Sequence, residues 1–98
     1  MSKTKLIVMK PIDNVGTVTE ETVSGTDLMG IVEGNTLNIH VLEKIPFGHK
    51  VAIKDISKNE KIIKYGEVIG AATEDIKVGQ YVHVHNLGGV RGRGDLPK

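Results

Sequence analysis

A mostly β fold, made of many short strands with little helix and arranged as a compact barrel or clip, follows from three observations on the 98-residue sequence. Ile and Val number 23 against 6 Leu and 3 Ala, and side chains branched at Cβ, stiff at χ1, suit a pleated surface better than a helix. Twelve glycines punctuate the chain every few residues, as tight turns require. Apolar and polar residues alternate from Thr36 to Leu42, with Leu37, Ile39 and Val41 on one side and Asn38 and His40 on the other, the period-2 pattern of a half-buried strand.

Taken in order, Leu6 to Met9 reads as a first strand stopped by Lys10-Pro11, because proline has no amide to give a ladder. Asp13-Asn14 is the expected turn before a strand at Val15 to Val18. Ser24 to Asp27 forms a second turn cluster ahead of Leu28 to Val32, and Gly34-Asn35 reverses the chain into the Thr36–Leu42 strand. A single helical turn fits Val51 to Ile56, where no breaker intervenes. Two segments twenty residues apart, Asp55 to Ile63 and Asp75 to His83, match in outline: an Asp-Ile pair, a polar turn, then an apolar pair. Each reads as a buried Ile anchor, a turn and the start of a strand, a two-copy pseudo-repeat.

Length and composition bound the function. Ninety-eight residues make room for one domain, placed at residues 1–87, with a glycine-rich, flexible tail at residues 88–98. Thirteen Lys and Arg against 12 Asp and Glu leave a formal charge of +1, too little field to hold a polyanion, so nucleic acid is not an expected partner. The absence of cysteine removes disulfides, thiolate nucleophiles and Cys-ligated zinc. No apolar run approaches the length of a membrane span or a signal-peptide core, so no membrane partner is expected and the chain is read as soluble and cytoplasmic.

Chemistry concentrates in three places. In a strand, residues two apart share a face with Cα atoms about 7 Å apart, so His83 and His85 would stand side by side, near enough to share a metal or an anion. Such a pair equally suits a solvated sheet face, and a metal needs at least one more ligand. His49 follows Ile45-Pro46-Phe47-Gly48, where a Pro/Gly turn would hold it and Lys50 on a loop at the start of a strand; an exposed ring on a plain turn is the other reading. Lys64-Tyr65-Gly66-Glu67 places a cation, a phenol and an acid in one bend, able to bind a carboxylate or move a proton, or simply to end a strand. No nucleophile elbow, P-loop, dinucleotide fingerprint or Cys-x-x-Cys motif is present.

Together, Ile45-Pro46-Phe47-Gly48-His49-Lys50-Val51-Ala52, Ile63 through Ala72, Ile76 through Gly79 and Val82-His83-Val84-His85-Asn86 resemble the SAF-type domain of the altronate and galactarate dehydratase family. The resemblance runs from Met9 to Leu87, and its linked motifs, P-x-G-H-K, I-K-Y-G-x-x-I-G-x-A and V-H-x-H-N, are far more specific jointly than singly. It implies a β-clip, as in type III antifreeze proteins and the C-terminal domain of sialic acid synthases. It also implies a lyase that removes water from a sugar acid, usually with Fe(II) or another divalent ion. In that family the domain is the N-terminal part of a long dehydratase or a separate small subunit beside a large catalytic one, an arrangement shared with the sulfolactate sulfo-lyases. On the matching motifs, His49, His83 and His85 are the expected catalytic residues, and Lys50, Lys64, Tyr65 and Asn86 the expected substrate contacts. With four His, no Cys and no acidic cluster of ligand spacing, the chain is not expected to hold the metal alone, so its ligands are unknown and a partner is expected to supply most of them. The competing reading is a non-catalytic β-clip module that binds an anionic sugar or caps a partner protein.

Overall fold

The computed structural model describes residues 5–89. Among them are nine short strands and no helix: β1 (Leu6–Ile7), β2 (Val15–Val18), β3 (Asp27–Val32), β4 (Asn35–His40), β5 (Lys50–Ala52), β6 (Lys61–Lys64), β7 (Glu67–Ala72), β8 (Tyr81–Val82) and β9 (Leu87–Gly88). They form three antiparallel sheets ordered β1-β2-β5-β8, β3-β4 and β6-β7-β9. The mostly β expectation holds, whereas the helical turn at Val51 to Ile56 does not. Lys50–Ala52 is a strand paired on one side with β2 and on the other with β8, and ladder bonds on both edges override any local helical preference.

Alternation along the first sheet sends side chains into two cores. Leu6, Val18 and Val51 pack with Leu28, Ile39, Val41 and Ile45; Val15, Ala52 and Val82 face the other way, onto Ile56, Ile62, Ala72 and Ile76. Each fully buried Ile or Val contributes about 1.5–3 kcal/mol, so the sheet is clamped from both faces and its strand ends become rigid platforms. The Leu37, Ile39 and Val41 face points inward as expected, with Ile39 and Val41 buried and His40 exposed.

The pseudo-repeat is real and wider than the sequence shows. Ile56 and Ile76 exchange both backbone hydrogen bonds, at 2.8 and 2.7 Å, and Thr22 and Ile45 do the same at 2.9 and 2.8 Å. After each of these four residues comes a turn closed by a backbone bond: Thr26 N–H to Val23 O, His49 to Pro46, Glu60 to Ser57 and Gln80 to Lys77. The third residue of each turn has positive φ: Gly25 (92°), Gly48 (80°), Asn59 (76°) and Gly79 (96°), the type II geometry. The turn then bulges, because Gly48 N–H and His49 O both engage Val18, just as Gly79 and Gln80 engage Ala52. Asp55 and Asp75 add a reciprocal pair, accepting from Val78 N–H at 3.0 Å and Lys58 N–H at 2.8 Å.

Several boundaries differ from the sequence reading, among them the end of β4 at His40 rather than Leu42. The first strand stops at Ile7 rather than Met9, since Met9 and Lys10 donate their amides to the Asp13 carboxylate at 3.0 and 3.1 Å. Asp13 and Asn14, the expected turn, are buried; the reversal falls at Pro11-Ile12, closed by Asp13 N–H to Lys10 O at 3.0 Å. The β3–β4 reversal is Glu33-Gly34, both at positive φ (49° and 83°), one residue earlier than Gly34-Asn35. Leu87–Gly88 pairs with β7, which puts Gly88, the first residue of the tail expected at residues 88–98, in a strand; residues 90–98 lie outside the described residues.

Candidate functional site

His49 occupies the second position of the bulge that ends its type II turn, and Lys50 opens β5. Bulges re-aim side chains beside sites, and this one brings the His49 ring against β8. Tyr81 Oη lies 2.7 Å from His49 Nδ1. The His83 ring stacks on Tyr81 with centroids 5.6 Å apart and planes 6° from parallel, and it meets His49 at 4.8 Å. His85 approaches the same phenol at 5.4 Å. Tyr81 is thus the hub on which His49, His83 and His85 converge.

The expected strand through His83 and His85 is not formed. Strand β8 ends at Val82, and residues His83 to Asn86 make a turn closed by Asn86 N–H to His83 O at 3.0 Å. Asn86 is the physical reason. It is buried, its Oδ1 accepts from His83 N–H at 3.0 Å, and its Nδ2 donates to Tyr81 O at 2.9 Å. Asn86, expected to touch substrate, bonds the backbone through its amide and shapes the turn that carries both imidazoles.

The lysines and Tyr65 form an adjoining lobe. Thr17 is paired directly across from Lys50 in the β2–β5 ladder, and Tyr65 donates its hydroxyl to Thr17 Oγ1 at 3.1 Å. Lys64 Nζ sits 5.0 Å above the Tyr65 ring, a cation–π contact. Burial, reinforced by the Lys64 charge, holds the Lys50 ammonium below the usual lysine value. Desolvation first, then electrostatic repulsion from His49, Lys50 and His85, holds His83 below the ordinary 6.5, which favours a neutral ring able to accept a proton at pH 7. His40 stands apart on β4, 2.8 Å from Asp27.

Tyr81 is the functional candidate that sequence reasoning missed. The signal was present in Tyr81-Val82-His83-Val84-His85, which places the phenol in the same two-residue spacing as the two imidazoles. Among the described residues no three His, Asp or Glu side chains are grouped so as to hold a metal ion. A groove of about 560 Å³ lined by Lys5, Glu20, Glu21, Val23, Asp27 and Met29, among others, contains none of the site residues. No helix among the described residues is long and apolar enough to cross a membrane.

An all-β scaffold whose turns present a His-Tyr-His cluster beside two lysines defines a small SAF-type domain. Residues 4–89 match the altronate/galactarate dehydratase SAF domain, and the chain belongs to that family. It is 44% identical over 78 residues to (2R)-sulfolactate sulfo-lyase subunit alpha of Chromohalobacter salexigens, covering 76% of this chain and 83% of that one. It is 36% identical over 80 residues to the altronate dehydratase of Escherichia coli, covering 82% of this chain and 15% of the enzyme. Galactarate dehydratase (L-threo-forming) of Escherichia coli is 50% identical over 44 residues, 45% of this chain and 8% of that protein. The chain thus spans most of the sulfo-lyase subunit and a small fraction of the dehydratases.

Proposed function

We propose that this domain acts as the small subunit, or the N-terminal-domain equivalent, of a lyase acting on a hydroxylated sugar acid, with a large catalytic subunit completing the site. The observation that carries this reading is the convergence of His49, His83 and His85 on Tyr81 beside Lys50 and Lys64. Eliminating water from a 2,3-dihydroxy acid requires removal of a proton beside the carboxylate, stabilisation of the resulting enediolate and protonation of the departing hydroxyl. A neutral His83 suits the first task and the lysine ammoniums the second, and His49 or His85 is assigned the third. A divalent ion, Fe(II) or similar, would supply further charge stabilisation in the assembled enzyme; its ligands are assigned mainly to the partner. The family match and the names of the relatives support a lyase of the altronate or galactarate dehydratase type, and the coverage of subunit alpha supports a multi-subunit arrangement.

The test is reconstitution with the large subunit using His49→Ala, His83→Ala and His85→Ala chains, with His40→Ala as control. Loss of a general acid or base costs a factor of about 10² to 10⁴ in kcat, with the thermal midpoint and assembly hardly changed. Turnover near that of the parent in all three variants would make the domain a scaffold or cap instead.

A further inference from the structure

Lys50 and Lys64 are a like-charged, half-buried pair that forms no ion pair with an acidic side chain among the described residues. The ion pairs among those residues are Lys5–Glu20, His40–Asp27 and Lys44–Glu21, none of which reaches the two lysines. Placing ammoniums together with part of their hydration removed is unfavourable unless an anion joins them. Glu67 is paired across from Lys64 in the β6–β7 ladder without forming an ion pair with it, while Thr17 lies opposite Lys50 on β2, where its hydroxyl accepts from Tyr65 at 3.1 Å, leaving its own O–H free to donate.

The backbone at Tyr65 is an independent sign that this arrangement is built. Tyr65 holds φ of 54° in a two-residue reversal with Gly66 at 82°, a left-handed conformation that costs an aromatic residue free energy and persists where its surroundings enforce it. The enforcing group is Asp13, which has no exposed surface and whose Oδ1 accepts from Gly66 N–H at 2.7 Å. The strained turn carries the phenol back across to Thr17 and brings Lys64 over its ring.

We propose that Lys50, Lys64, Thr17 and Tyr65 form a subsite for the fixed anionic head group, a carboxylate or sulfonate, of a small hydroxy acid, separate from the imidazoles that would face the reacting carbon. The assignment rests on the lyase reading for the identity of the acid, and it adds that this chain recognises the head group without its partner. Two ammoniums and one hydroxyl supply charge-assisted donors for the oxygens of a single oxyanion group.

The test is an NMR titration of the isotopically labelled 98-residue chain with glycolate, methanesulfonate and inorganic phosphate, followed at the lysine side chains. Saturable shifts at Lys50 and Lys64 with glycolate or methanesulfonate are expected, with Lys50 titrating at higher pH when the anion is bound. The stronger of those two responses identifies the head group as carboxylate or sulfonate. Lys64→Met should weaken binding about tenfold or more, whereas Lys58→Met, which removes the same charge from an exposed turn, should leave it within about twofold. Linear shifts without saturation, equal effects of the two Met variants, or tighter binding of phosphate than of either organic acid would overturn the subsite. The two readings fail separately. Histidine-dependent turnover without anion binding by this chain removes the subsite alone, and anion binding with histidine-independent turnover removes the lyase role alone.

Discussion

Asp13→Asn exchanges a few atoms at the joint between fold and site. The carboxylate has no exposed surface and accepts three backbone amides, Met9 and Lys10 on Oδ2 at 3.0 and 3.1 Å and Gly66 on Oδ1 at 2.7 Å. Burial pushes its pKa up, but the hydrogen bonds from the amides of Lys10, Gly66 and Met9, with the Tyr65 amide nearby, outweigh burial and hold it below 3.8. An asparagine can keep its oxygen toward Met9 and Lys10, and its NH₂ then faces the Gly66 amide, donor against donor. One orphaned buried amide costs roughly 1–3 kcal/mol, and the two retained bonds lose their charge assistance, so the total is about 2–4 kcal/mol. For a chain of this length each kcal/mol moves the thermal midpoint by about 4–8 °C, which predicts a fall of about 8–30 °C at pH 7. A carboxylate with a lowered pKa contributes stability that is present above the unfolded value and lost as pH falls through the folded one. The gap between parent and variant should therefore stay wide at neutral pH and narrow only in acid, below 3.8. Thermal melts followed by circular dichroism at pH 7 and pH 3 measure it. A variant within 0.5 kcal/mol of the parent at pH 7, on the scale of an ordinary surface substitution, or a gap that ignores pH, would refute the reasoning.

Tyr81→Phe keeps the ring contacts to His83 and His85 but deletes the 2.7 Å bond to His49 Nδ1; turnover of the assembled enzyme should fall about 2- to 10-fold and the pH–kcat profile should shift, with the thermal midpoint little changed. An unaltered pH profile would show that the phenol does not position His49. Gly79→Ala and Gly25→Ala give a matched pair at φ of 96° and 92°. A Cβ at Gly79 overlaps the His40 carbonyl oxygen while one at Gly25 meets open space, so urea melts should show a loss of about 1 kcal/mol for Gly25 and at least twice that for Gly79.

The fold class was legible because β-branched residues and glycine turns act locally, and β2 appears where Val15 to Val18 places it. Less legible were the elements whose hydrogen bonds come from far along the chain. Asn14 reads as a turn residue, but it folds inward because its side chain bonds Lys61 O at 2.8 Å and Ile63 N–H at 2.7 Å. Val51 to Ile56 has no breaker, and only the two flanking strands decide its conformation. In the site, the turn holding His49 was readable from Pro46 and Gly48, since both act on their own backbone. The His83–Asn86 turn was not, because a Val-His-Val-His alternation carries strand periodicity and the deciding bonds belong to a single asparagine side chain.

The chain has two tyrosines and no tryptophan, and the phenols are Tyr65, under the Lys64 ammonium, and Tyr81, bonded to His49. Tyrosine absorption and emission therefore originate wholly in the two lobes of the candidate site, with no background from the cores. A change in the charge on His49 perturbs one fluorophore, and an anion settling on Lys64 perturbs the other. Replacing either tyrosine by phenylalanine leaves a chain with a single intrinsic optical reporter, so the lysine lobe and the imidazole lobe can be followed separately, without a label.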